Sequence, residues 1–307
     1  MGGSALDTAK ERLTSAFLSP SEPRLRAGWR LLVQAVLQLV MTACAGIVLV
    51  IARPRILADP AAPQDPLDLG ATQLAQFAAV TISIFTARRL LDRRSFLSLG
   101  LQPSRQAYAD FAAGLLITLI MMSFIFAVGL QTGWVEVDRF GWQSDPWSTV
   151  LGRVLWLFAI CMLVGWNEEL MSRGYHMQTL TSGISLAWGW ILSSVVFGAL
   201  HLANPHSTLL AAGGTVLAGL LLGFGYLRTG QLWLSMGLHT GWNFFEGVVF
   251  GFPVSGLTFY RLVQVTVHGP VIWTGGDFGP EAGLIVVPAL AVGLGLIAIG
   301  TRKRQVA

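Results

Sequence analysis

The chain has 307 residues, 53% of them hydrophobic and only 12% charged, and its mean hydropathy is +0.62. Soluble domains carry about 25% charged residues, so the composition excludes an ordinary soluble globule and points to an all-α polytopic membrane protein. The formal net charge of +4 does not imply a nucleic-acid partner, because the basic residues flank apolar runs and form no soluble patch.

Residues 1–30 are mostly polar and read as a cytoplasmic tail, in which "ALDTAKERLTSAFL" has the pattern of a short interfacial amphipathic helix. The first apolar run begins near Leu31, too late for a secretory signal, and neither "MGGSAL" nor "RKRQVA" carries a lipidation motif. About eight transmembrane helices are predicted, near 31–52, 71–87, 109–131, 149–170, 185–203, 207–227, 231–251 and 283–300. They form one membrane domain, 31–301, followed by a basic tail, 302–307. Cys44 and Cys161 lie inside apolar runs and have no disulfide role. The segment 252–282 reads as a lid, a partner site on the outer face or a plain loop.

An even number of spans puts both termini on one side. Fifteen of the 20 basic residues fall there, Arg88, Arg89, Arg93, Arg94 and Arg173 among them. Four, Arg53, Arg55, Arg139 and Arg261, fall opposite, and Arg153 is unassigned. This bias places both termini in the cytoplasm, and the setting expected is a bacterial plasma membrane.

Ionisable side chains inside a span cost a few kcal/mol or more, so each is a functional candidate. Glu168, Glu169 and Arg173 lie on helix four, His201 ends helix five, and His239 and Asn243 lie on helix seven, with Glu246 one turn beyond. Glu169 and Arg173 are four apart and can pair. Glu168 points about 100° away and is left free for chemistry. Phe197 precedes His201 by one turn and can pack against its ring, and His239 and Asn243 share a face. Each residue taken singly also has a structural reading. The pair would be interfacial, the histidines would be packing residues, and Asn243 would bond a neighbouring helix for about 1 kcal/mol.

In chain order, "EELMSR" fits E-E-x-x-x-R, "FGALH" fits F-x-x-x-H and "HTGWN" fits H-x-x-x-N. These three motifs, on successive hydrophobic helices, resemble those of the CPBP family of intramembrane proteases, which comprises the Rce1-like CAAX prenyl proteases and the bacterial Abi relatives. The resemblance covers about 150–250. It implies a glutamic endopeptidase in which Glu168 and His201 activate water and His239 and Asn243 stabilise the oxyanion. Glu169, Arg173 and Phe197 then serve as structural support. It implies no cofactor and no metal, a peptide or protein substrate with or without a lipid, and a site in a cytoplasm-facing cavity within the bilayer. Three rivals stand beside it: a zinc-dependent protease on His201, His239 and a glutamate, although H-E-x-x-H is lacking; a transporter using the same residues as a proton relay; and a non-proteolytic scaffold of the same family. The protease reading carries a structural requirement. The span limits above separate Glu168 from His201 by roughly 20 Å in depth, so helix four must continue past Glu168 toward residue 182 and helix five must start outside the bilayer.

Overall fold

Backbone polar groups in hydrocarbon must bond within their own segment, and helices form at all eight apolar runs. The computed structural model describes residues 15–19, 22, 24–54 and 66–302. Most of the anticipated interfacial helix, most of the Asp/Pro-rich loop and the basic tail after Arg302 lie outside them. The helices are α1 (Ala27–Ala52), α2 (Pro66–Leu90), α3 (Arg105–Thr132), α4 (Trp147–Gly183), α5 (Leu186–Leu200), α6 (Leu209–Thr229), α7 (Trp233–Asn243) and α8 (Val286–Gly300). The first six are long and apolar enough to cross a membrane, α5 with its 3-10 extension to Ala203. The protein is an all-α polytopic membrane protein.

α7 is continued by a π-helical stretch, Phe244–Val249, and every residue from Leu234 to Trp242 is buried. It is the central helix, packed on α3, α4 and α6. Small residues permit this: a Cβ on Gly237 would stand 2.2 Å from the Phe111 carbonyl oxygen of α3.

α4 meets the requirement set by the sequence. It runs unbroken through Glu168 to Gly183, π-helical between Leu170 and Met177, a distortion that clusters at functional sites. The α4–α5 corner then equalises depth. Glu168 lies 15 residues before Gly183 (183 − 168) and His201 lies 15 after Leu186 (201 − 186). Each is about 22 Å from the corner.

Successive helices alternate in direction, giving the bundle two ends. At one, Arg30 of α1 pairs with Asp92 after α2 and donates to Ser182 of α4 at 2.7 Å. Arg228 in the last turn of α6 donates to Thr301 after α8 there. At the other, Arg53 pairs with Asp68, and β1 (Val135–Phe140) pairs antiparallel with β2 (Val263–Val267). The segment 252–282 is therefore no plain loop. Its "VQVTV" alternates β-branched residues against "VEVDRF", and the pairing fastens it to the α3–α4 connection. Among the described residues, ten arginines in helix ends and flanking segments lie at the first end (Arg24, Arg26, Arg30, Arg88, Arg89, Arg93, Arg94, Arg105, Arg228, Arg302) and four at the sheet end (Arg53, Arg139, Arg153, Arg261).

Candidate active site

Glu169 and Arg173 do pair, deep in the protein. Arg173 Nη1 donates to Glu169 Oε1 at 2.7 Å, and the side chains are 1% and 0% exposed. Arg173 Nη2 donates to the Gly219 carbonyl of α6 at 2.9 Å, and its guanidinium lies 4.4 Å over the Phe197 ring. Arg173 is thus an interior partner. Its place among the charges that set topology is corrected, because its neighbours are a carboxylate, a carbonyl and an aromatic face. Glu169 Oε1 also lies 2.8 Å from His239 Nδ1, a contact that the spacing rules did not anticipate because α4 and α7 are far apart in sequence.

Glu168 turns the other way, into a cavity. Its Oε2 is 3.8 Å from His201 Nε2 and 3.8 Å from His239 Nε2. That separation is too long for a direct hydrogen bond. Oε2 is shielded from solvent and has no hydrogen-bond partner among the described residues. The partners of the two rings fix where their protons sit. His201 Nδ1 lies 2.7 Å from the Phe197 carbonyl, which can only accept, so Nδ1 carries hydrogen and neutral His201 offers a lone pair at Nε2. His239 Nδ1 faces a carboxylate oxygen and likewise carries hydrogen. Its Nε2 is then a donor only when the ring is an imidazolium. Phe197 holds both rings, 4.7 Å from the His201 centroid and 6.0 Å, edge-on, from that of His239.

The cavity has a volume of about 1110 Å³, and Glu168, His201, His239 and Asn243 all line it. The structure thus brings together all four residues that the motifs implied for catalysis. Cys161 lies on the wall, whereas Glu246 is fully buried off it. From this inner group the wall runs along the starts of α2 (Leu69, Gln73) and α4 (Arg153, Trp156) to Thr258 and Tyr260. All of these belong to the sheet end. By the arginine rule that end is opposite the termini, so cytoplasmic termini and a cytoplasm-facing cavity do not coexist in this fold, and the expectation that joined them is corrected. The cause is the α4–α5 corner, which carries Glu168 and His201 away from the arginine-rich end.

Sequence reasoning missed Glu281, Ser255 and Trp242, which line the same cavity. Glu281 lies on the turn Pro280–Ala282, and its carboxylate accepts from Trp242 Nε1 at 2.9 Å and from Ser255 N and Oγ at 2.9 and 2.6 Å. Burial raises this carboxyl above the ordinary range, while the Ser255 donors, the nearby His201 and Trp242 pull it down. The available signal was slight, two carboxylates, Asp277 and Glu281, just ahead of the last apolar run.

Fold and site together define a class, a polytopic membrane protein with a carboxylate and two imidazoles gathered at the inner end of a large cavity. Residues 150–245 match the family model described as type II CAAX prenyl endopeptidase, Rce1-like. That segment is similar to the family whose motifs the sequence resembles, and it runs from the start of α4 through α7 into the π-helical stretch that follows. The match makes this segment similar to an endopeptidase family, and the six long apolar helices make the chain an integral membrane protein. No curated protein matches the chain at a significant level.

Proposed function

We propose that the protein is an intramembrane endopeptidase of the glutamic type, hydrolysing a peptide bond with water activated by Glu168 and His201. The observation that carries this reading is the pair of 3.8 Å separations from Glu168 Oε2 to the two Nε2 atoms, a gap that one water at hydrogen-bonding distance bridges. Glu168 and the Nε2 lone pair of His201 accept that water's two protons, leaving an oxygen lone pair for the substrate carbonyl carbon. As the C–O bond forms, one proton passes to Glu168, a general-base contribution of about 10²–10⁴-fold. The oxyanion is met by the Asn243 amide and by His239 Nε2–H, the ring being an imidazolium between Glu168 and Glu169. Such donors gain strength where water is scarce. Collapse breaks the C–N bond, and Glu168 returns the proton to the departing amine. Glu169 and Arg173 hold His239 and α4 in place, and Phe197 fixes the rings. The substrate is a peptide or protein segment, with or without a lipid, lying along the apolar wall of Trp156, Leu157, Ile160 and Val164.

The test compares membranes from cells expressing the protein and its Glu168→Gln variant at matched level, with every new peptide terminus mapped by mass spectrometry, with and without a chelator. Termini lost in Glu168→Gln but kept with the chelator support the proposal; identical termini in both samples refute it. A zinc-dependent second reading has one observation in its favour. Both imidazoles present Nε2 to Glu168 while an oxygen holds Nδ1, the arrangement found behind zinc-bound histidines. It ranks second because, among the described residues, no group of three His, Cys, Asp or Glu side chains has metal-binding geometry. Loss of the termini with the chelator would promote it.

A further inference from the structure

The α7–α8 connection reaches the site through one tight turn. Val254 and Leu257 exchange backbone hydrogen bonds, each of 2.8 Å, and the two residues between them, Ser255 and Gly256, have φ of +47° and +81°. Two positive φ values in succession make a type I′ turn, and serine takes up that conformation only where its surroundings impose it. They do so from four directions. The Ser255 carbonyl accepts from Asn204 Nδ2 at 3.2 Å, three residues after His201. Gly256 N donates to the Phe278 carbonyl at 2.8 Å. Gly256 also backs onto Pro205, whose carbonyl oxygen would stand 2.0 Å from a Cβ there. Ser255 N and Oγ both donate to Glu281 Oε2, while Glu281 Oε1 accepts from Trp242, the residue before Asn243. Behind Glu281 stands α6, where the Glu281 carbonyl oxygen would lie 1.8 Å from a Cβ on Gly214.

We propose that Glu281 is a positioning residue of the proteolytic site, setting the separation between His201 and Asn243. Through Ser255 and Asn204 it holds the end of α5 that carries His201, and through Trp242 it holds α7 at Asn243. The inference rests on the protease reading above. It concerns a residue outside the 150–245 match, so the connection between α7 and α8 becomes part of the catalytic unit and is more than a cover. The chemistry calls for a carboxylate. Three N–H or O–H donors converge on two oxygens, and a glutamine would turn its own NH₂ toward the Ser255 or the Trp242 N–H.

The experiment uses the full-length protein in liposomes and a fluorogenic peptide copying a cleavage site found by terminus mapping. Glu281→Gln is expected to lower kcat by about 30- to 100-fold, the cost of misplacing reacting groups by about 1 Å, with KM changed less than about threefold. Gly214→Ala leaves the carboxylate intact but displaces its turn, and a loss of the same kind is expected. Adding Asn204→Ala to Glu281→Gln is expected to cost nothing further, because both act through Ser255. Rates are taken per monodisperse folded protein, so a purely structural role would reduce yield and leave kcat alone. An unchanged kcat in Glu281→Gln, or an additive loss with Asn204→Ala, overturns the inference. If Glu281→Gln does not fold, Trp242→Phe and Gly214→Ala decide the matter, and wild-type kcat in both overturns it. Wild-type activity in Glu168→Gln would sink the protease reading itself, a result distinct from all of these.

Discussion

Replacing Arg173 with methionine keeps most of the side-chain length and removes the charge. Glu169, 0% exposed, would then be a buried carboxylate that has lost its guanidinium and keeps only the His239 ring beside it, and the Gly219 carbonyl would lose its donor. Breaking a buried pair by removing one member costs about 3–5 kcal/mol, against a total stability of about 5–15 kcal/mol. Arg173→Met is therefore expected to lose about 3–5 kcal/mol, measured by denaturant unfolding in detergent micelles with helical circular dichroism as the probe. Adding Glu169→Gln removes the stranded charge. The double variant should be more stable than the sum of the single changes by about 2 kcal/mol or more, a coupling of the size seen for residues in contact. A loss within about 0.5 kcal/mol for Arg173→Met, the usual size of a surface change, or strict additivity in the cycle would refute an interior ion pair that holds α4, α6 and α7 together.

Glu168→Gln should lower peptide cleavage by at least about 10²-fold while leaving the unfolding midpoint unchanged, since its Oε2 bonds no described group. Asn243→Ala should lower kcat by about 10²–10³-fold, as removal of an oxyanion donor does; an effect on KM alone would remove it from that role. Gly237→Ala should destabilise the protein by about 1–3 kcal/mol, because its Cβ would stand 2.2 Å from the Phe111 carbonyl oxygen and α3 would have to move, which the same denaturant titration reads. In a Cys44→Ser background, Thr258→Cys at the cavity rim should react with a membrane-impermeant maleimide only from the side opposite the termini. Labelling from the side of the termini would contradict the assignment of the cavity to the sheet end.

Sequence carried the helices because hydrocarbon leaves the backbone no alternative, and it carried Glu169–Arg173 because a four-residue spacing on one helix is local geometry. Even the length of α4 followed from sequence, once chemistry required Glu168 and His201 to meet. The contacts that escaped join segments distant in the chain. The bond between Glu169 and His239 links α4 to α7, and the Glu281 cluster draws on four separate stretches. The β1–β2 pairing escaped because "VEVDRF" reads as acidic loop until its partner strand, more than 120 residues later, is known. The end of the bundle at which the cavity opens, relative to the termini, escaped for a related reason. It depends on the whole α4–α5 hairpin and cannot be counted from the start of α7.

The 37 residues of α4 make a rod about 55 Å long, whereas a bilayer measures about 30 Å across its hydrocarbon and about 40–45 Å with its headgroups. Such a rod must tilt or protrude, and lipid thickness decides only which of its residues meet acyl chains. The distance between Glu168 and His201 is set by the turn at Gly183–Ser185, within the protein. A thinner or thicker membrane would slide along α4 without drawing the two apart, so the bilayer can tune how substrate reaches this site more readily than what happens there.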